Sequence, residues 1–347
     1  MKYLSLFSGI GGFEVALHSI FPLSQCLGFS EIKPEAITVY QHHFPTHKNI
    51  GDITLLTENT IQDLVKNGCD IVFGGFPCKN LSSLASIKGG NSGLDGNQSK
   101  LFFDMMRIIH TINLHLGKQV HVIFENNASM STKNKTLITN FIKQDYPNII
   151  LTTLDGSQFG VQSRKRLFWT DFPLDKLHIK CSQSWNDILD NSPHPNISDN
   201  YVNCLNKFIK TKSNNKHIIQ AIKLPNNTFE FSSLTPPHNL FKSRWQMSFH
   251  SDTGTHNLPY SYPIGKSRPI TASFGNHNIL VDRTLSPNNN SFTLRMFTST
   301  EIERLFGLPD NYTSVIPSKN KRKELLGNSV IVLVLQFIFQ QLKLHSN

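Results

Sequence analysis

Up to about position 173 the chain alternates short apolar, β-branched runs with stretches of helical period, and no other feature constrains its fold as tightly. The runs fall at 3–7, 25–31, 71–74, 120–124, 149–154 and 166–170, with helical stretches at 12–19, 34–43, 101–114 and 135–144. Strand, helix and strand in succession close into a parallel sheet through a right-handed crossover, because only that path packs the helix back onto the sheet. The expected architecture is therefore α/β, a doubly wound and mostly parallel sheet. After 173 the alternation stops, and 177–262 is polar, rich in Asn, Ser, Pro and His, with scattered aromatics and cations. Order resumes at 268–281, pauses at the loop 286–290, and returns in helices at 299–306 and 328–344. The last of these is apolar nearly all round, which predicts burial against the first domain. The expected division is one unit of residues 1–176 plus 266–347 and a smaller, irregular one of residues 177–265.

Composition narrows the function without choosing it. A chain of 347 residues that is 38% hydrophobic supports a sizeable core. Its formal charge of +10 suits a polyanionic partner, since neutralising phosphates releases counterions. The 5 cysteines are odd in number, form no C-x-x-C pair and have no histidines at zinc spacing, so neither a disulfide framework nor a metal is expected. The amino terminus lacks a signal-peptide pattern and the longest apolar run, 330–339, is too short to cross a bilayer. A soluble, cytoplasmic protein without a membrane partner is the expectation.

Four motifs carry chemistry. Leu6-Phe7-Ser8-Gly9-Ile10-Gly11-Gly12-Phe13-Glu14 places glycines where a strand turns into a helix, so the main chain can approach a ligand closely. A plain tight turn or a nicotinamide-binding turn would look alike. Glu31, at the end of the second run, is placed to accept from ribose hydroxyls, and Asp52 can accept from an adenine amino group. An adenosine-containing cofactor fits all three positions. In the second motif, Asp70-Ile71-Val72-Phe73-Gly74-Gly75-Phe76-Pro77-Cys78-Lys79, an apolar strand delivers a thiol to the edge where such sheets bind ligands. An isolated cysteine is more often a small buried hydrophobe, but this one opens a polar Gly- and Ser-rich loop, with Lys79 beside it to favour the thiolate.

The third, Val122-Ile123-Phe124-Glu125-Asn126-Asn127, brings a carboxyl to the same edge, where burial would equip it to share a proton with a ring nitrogen; a surface loop is the plainer reading. In the fourth, Gly160-Val161-Gln162-Ser163-Arg164-Lys165-Arg166, alternate arginines on an extended strand point one way, towards a phosphate, a base carbonyl or simply solvent.

In this order and spacing the motifs resemble the cytosine-5 DNA methyltransferase family over nearly the whole chain, apart from about 177–262. Further family features follow in order: Asn97-Gln98-Ser99-Lys100-Leu101, Ser267-Arg268-Pro269-Ile270, Arg295-Met296-Phe297-Thr298 with Glu301 and Arg304, and Gly327-Asn328-Ser329-Val330. Phe76, Lys79 and Asn127 depart from the residues usual at those places.

The resemblance implies a Rossmann-like, S-adenosylmethionine-dependent enzyme acting on double-stranded DNA, with residues 177–265 as a target recognition domain. It assigns Cys78 as nucleophile at cytosine C6, Glu125 to N3, Arg164 to O2 and Arg166 in support. For the cofactor it assigns Phe7, Gly9, Ile10, Gly12, Glu31, Asp52, Pro77, Leu101, Asn328 and Ser329. The target base must be flipped from the duplex, with 82–100 as the lid and Lys242, Arg244, Trp245, His250 and Lys266 as candidates for DNA contact. It further implies a monomer in a prokaryotic or viral setting, with a possible cognate restriction endonuclease. Three rivals stand beside this reading: a tRNA methyltransferase, a catalytically silent DNA-binding homologue, and a dehydrogenase built on the glycine turn.

Overall fold

A computed structural model of the chain describes residues 1–77, 100–175, 183, 185–190, 221–223, 228–231, 245–250, 270, 276–282 and 291–345. Strands β1 (Lys2–Leu6), β2 (Gln25–Ser30), β3 (Ile71–Gly75), β4 (His121–Asn127), β5 (Ile150–Asp155) and β6 (Lys165–Thr170) form a six-stranded sheet in the order β2-β1-β3-β4-β6-β5. β1 runs parallel to β2 and β3, and β3 to β4, whereas β6 is antiparallel to both β4 and β5. The doubly wound, mostly parallel sheet is thus the one expected. Its antiparallel edge follows from chain length: too few residues separate β5 from β6 for a crossover helix, so the chain turns back as a hairpin.

Helices cover both faces: α1 (Gly12–Ile20), α2 (Pro34–His43), α3 (Glu58–Val65), α4 (Lys100–Leu116) and α5 (Thr132–Asp145), then the short α6 (Trp185–Ile188) and, near the end, α7 (Ser299–Leu305), α8 (Lys319–Gly327) and α9 (Val332–His345). Alternation along each strand feeds two cores. Tyr3, Ile71, Phe73, Ile123 and Phe168 pack with α1, α2 and α9; Leu4, Leu6, Val72, Val122, Phe124 and Trp169 pack with α3, α4 and α5. Continued past Phe124, the same period of two sends Glu125 to the α1 side and Asn126 to the other.

Sequence periodicity had not marked α3 and α8. In α3 only Ile61 and Val65 are buried, and the helix starts on a cap, the Thr57 side chain accepting from the Thr60 amide. In α8 the buried residues are bunched at its end, Leu325, Leu326 and Gly327, so no period develops. The apolar α9 packs against α1 as expected. Among the described residues one helical stretch, Lys319–His345, is long and apolar enough to cross a membrane, yet 72% of its apolar window is buried inside the protein.

A second sheet has the order β7-β8-β11-β10-β9, every pairing antiparallel, from β7 (Ala221–Lys223), β8 (Thr228–Phe231), β9 (Trp245–His250), β10 (Asn276–Asp282) and β11 (Ser291–Met296). The polar stretch therefore contributes strands, and the sheet draws on both sides of position 265.

Candidate active site

Parallel strands present their carboxyl ends on one edge, and a crevice opens where consecutive connections leave in opposite directions, here between β1 and its neighbours. The ends of β1, β2, β3 and β4 all reach that edge. Because β6 runs the other way, it brings its amino end there, and with it Arg164 and Arg166.

A cavity of about 600 Å³ occupies the edge. Phe7, Gly9, Ile10, Gly12, Glu31, Asp52, Pro77, Leu101, Asn328 and Ser329 all line it, together with Glu125, Arg164 and Arg166. Cys78 lies outside the described residues, as do the 82–100 loop up to Lys100 and Lys242, Arg244 and Lys266; of Trp245 and His250 only the β9 backbone is described. The described chain reaches the cavity wall at Pro77. Asn126, which follows Glu125 in its motif, lines it too, as do Ile32, Lys33, Ile53 and Leu325, which had not been singled out. Ile32 offered a signal: an apolar residue between two charged ones, and it is 66% exposed.

The glycine turn is held from several sides. Phe7, at φ 54, and Gly9, at φ 57, are left-handed, and for a phenylalanine that is strain of the kind found at ligand sites. One oxygen of Glu31 accepts from the Gly9 amide at 2.9 Å, and the other accepts from Ile32 and Lys33, each at 2.8 Å. Asp52 caps a 3-10 turn, accepting from the Thr54 amide at 2.9 Å. A side chain on Gly12 would come within 3.2 Å of Ser329 Oγ, which is how closely the last segment approaches the turn. Lys33 pairs with Glu324, and Lys321 reaches Glu35 at 3.3 Å, joining α2 to α8 at the rim.

At the other end of the cavity Glu125 is 9% exposed, and its Oε1 lies 2.8 Å from Arg166 Nε. Burial pushes its carboxyl above the usual range, while Arg166 and then Arg164 oppose the shift. Gly75 makes room for it: a Cβ there would stand 2.7 Å from Glu125 Oε2. Asn126, on the opposite face, donates to the Phe76 carbonyl at 3.2 Å and accepts from the Asn127 amide at 2.7 Å, tying the end of β4 to the residue before Pro77. Phe76 is buried against Phe102 and Trp169, with ring centroids 5.2 and 5.9 Å away. Asn127 turns its Oδ1 to the Ser129 amide at 3.0 Å.

Arg164 differs from Arg166. It donates to the carbonyls of Ile270 at 2.8 Å, Gly327 at 2.7 Å and Ser329 at 3.0 Å, and its guanidinium lies 5.2 Å from the Phe306 ring centroid. These bonds stitch β6 to the α8–α9 turn.

The lining fits an adenosine-bearing cation. Phe7, Ile32, Ile53 and Leu101 give apolar wall, Glu31 and Asp52 give carboxylates, and the left-handed turn brings main chain to the ligand. Fold and site together define a Rossmann-like group-transfer enzyme of the methyltransferase class. The model of C-5 cytosine-specific DNA methylases matches residues 1–344, and the chain belongs to that family, which makes it a DNA (cytosine-5-)-methyltransferase.

It is 26% identical to the type II methyltransferase M.NlaIV of Neisseria lactamica over 432 aligned positions, covering 99% of this chain and 98% of that protein. With the type II methyltransferase M.HgiCII of Herpetosiphon aurantiacus the match is local, 30% identity over 214 positions, 56% of this chain and 44% of that one. The solved structure of S. pombe Dnmt2 methyltransferase shares the fold, with a TM-score of 0.62 at 17% identity and 100% of both chains covered.

Proposed function

We propose that the chain methylates C5 of cytosine within a specific short sequence of double-stranded DNA, through a covalent bond between Cys78 and C6 of a flipped-out base. The observation that carries this reading is Glu125, buried and paired with Arg166, on the same cavity wall as Pro77.

Cytosine C5 is too weak a nucleophile to take a methyl group unaided. In the proposed reaction the Cys78 thiolate adds to C6, and the displaced π electron pair moves towards C5 and N3. Glu125, whose carboxyl burial pushes towards its neutral form, gives a proton to N3. Arg166 keeps the carboxyl in place, and its charge would stabilise the one that develops at O2. Arg164, expected at O2, is committed to three main-chain carbonyls, so we assign it the support and Arg166 the contact. When bound, S-adenosylmethionine supplies an electrophilic methyl group; Phe7, Gly9, Ile10, Gly12, Glu31, Asp52, Pro77, Leu101, Asn328 and Ser329 would hold it. Loss of the C5 proton to water then restores the C5–C6 double bond, N3 returns its proton to Glu125, and Cys78 leaves as thiolate.

Residues 177–265 are proposed to read the sequence, with the second sheet as scaffold. The named type II relatives support a companion restriction endonuclease and an intracellular setting.

A duplex carrying 5-fluorocytosine at the target tests the chemistry, because fluorine cannot leave as a proton does and the adduct persists. The wild type is expected to form a denaturation-resistant complex only when S-adenosylmethionine is present, and Cys78→Ser none. A folded, cofactor-binding wild type that traps tRNA and not duplex DNA, or nothing, would overturn the proposal.

A further inference from the structure

Behind the glycine turn lies a buried carboxyl that the chemistry above does not use. Glu14, in the first turn of α1, has 0% exposure, and its neighbours Gly12 and Phe13 line the cavity. Tyr40 donates to its Oε1 at 3.0 Å. The same hydroxyl lies 3.1 Å from Nδ1 of His47, which is only partly buried, so the chain Glu14, Tyr40, His47 runs from the interior towards solvent.

On the other side Ser5 bonds Ser8 between hydroxyls at 2.8 Å, and the Ser8 hydroxyl faces the carbonyls of Ser5 and Ser30 at 3.2 and 3.3 Å. Ser8 lines the cavity. Tyr312 donates to the carbonyl of Ile10, also in the wall, at 2.8 Å. A buried carboxyl with Tyr40 beside it and the Ser5–Ser8 hydroxyl pair thus lie behind the turn, and the Tyr312 hydroxyl holds its main chain at Ile10.

The titratable groups facing Glu14 are Tyr3 from β1, Cys26 from β2, Tyr40 from α2 and Tyr312 from the segment after α7, with His18 and His47 one bond further out. Burial pushes the Glu14 carboxyl up to about 7, and the Ser5 and Tyr40 hydroxyls, which favour the charged form, recover only part of that shift. Burial, and then His18, pushes His47 down to about 4. Among the described residues, the groups that shift Glu14 include no cation.

We propose that Glu14 is a positioning residue of the cofactor turn, a buried carboxyl that trades its proton with solvent through Tyr40 and His47 and whose charge favours a sulfonium ligand over its neutral thioether counterpart. The idea rests on the reading of the cavity as the S-adenosylmethionine site. A negative charge behind the wall, screened little in the interior, attracts a cation in front of it. Linkage is reciprocal, so binding the cation expels the Glu14 proton, and affinity rises as pH rises through the titration.

The test is calorimetric titration of the full chain with S-adenosylmethionine and with S-adenosylhomocysteine at about pH 6 and about pH 8, either side of a neutral titration. The two ligands share their amino and carboxyl groups, so the difference between them isolates the sulfonium. The wild type is expected to bind the sulfonium ligand roughly five- to tenfold more tightly at the higher pH, and the thioether with less than about a twofold change. Glu14→Gln is expected to lose the dependence. Tyr40→Phe, which keeps the carboxyl but removes a donor to its charged form, is expected to keep the dependence and move it to higher pH. Equal pH profiles for the two ligands in the wild type, or an unchanged sulfonium profile in Glu14→Gln, would overturn the proposal. Failure of either ligand to bind at any pH would overturn the reading of the cavity itself.

Discussion

At the scale of single residues, the site turns on where one proton resides. Burial favours the neutral form of Glu125, so its proton persists to higher pH than on an ordinary carboxyl. In the proposed mechanism methyl transfer needs this proton and the Cys78 thiolate, so the rate is expected to fall on the alkaline side as pH passes the raised pKa and on the acid side as the thiolate is lost, a bell-shaped profile. Glu125→Gln is expected to remove the alkaline limb and to lower the single-turnover rate by roughly 100- to 10,000-fold, with cofactor affinity unchanged. Gly75→Ala would act through the same group, because the added methyl would displace Glu125 Oε2 from its place 2.7 Å away. A rate loss of about 100-fold with thermal stability nearly intact is expected, read by rapid quench beside a melting curve.

At the scale of elements, the antiparallel β6 places two arginines at the edge built by parallel strands, and the two do different work. Arg164→Met would strand the carbonyls of Ile270, Gly327 and Ser329, for a loss of about 3 kcal/mol or more in urea unfolding. Arg166→Met removes a partner that favours charge on Glu125, and burial then keeps the carboxyl neutral, so no buried charge is left unpaired; the stability cost is expected near about 1 kcal/mol, the rate cost far larger. Equal stability losses would contradict this division. Spacing alone presented the pair as equivalents. What separates them, the main-chain carbonyls of residues far along the chain, depends on the tertiary path.

At the scale of the whole molecule, the legible part was whatever repeats locally. Alternating runs announced the sheet, and the glycine turn, Glu125 and the arginine pair announced residues that now line one cavity. Features made by contact between distant segments were not legible: the Asn126 clamp on Phe76, the clearance at Gly75, the rim pairs of α2 with α8 and the hydroxyls around Glu14. The second sheet was hidden for another reason: Ala221–Lys223 and Thr228–Phe231 are strands of only 3 and 4 residues, set in a polar stretch that shows no period of two. A charge of +10 is consistent with a nucleic-acid partner, and the family is one of DNA methylases. The decisive measurement is to incubate the protein with unmethylated genomic DNA and S-adenosylmethionine, beside Cys78→Ser, and to sequence after bisulfite conversion. Cytosines protected at C5 within one short recurrent sequence, and none with the variant, are the expected result. Unprotected DNA from a wild type that binds the cofactor, or equal protection with Cys78→Ser, would contradict it.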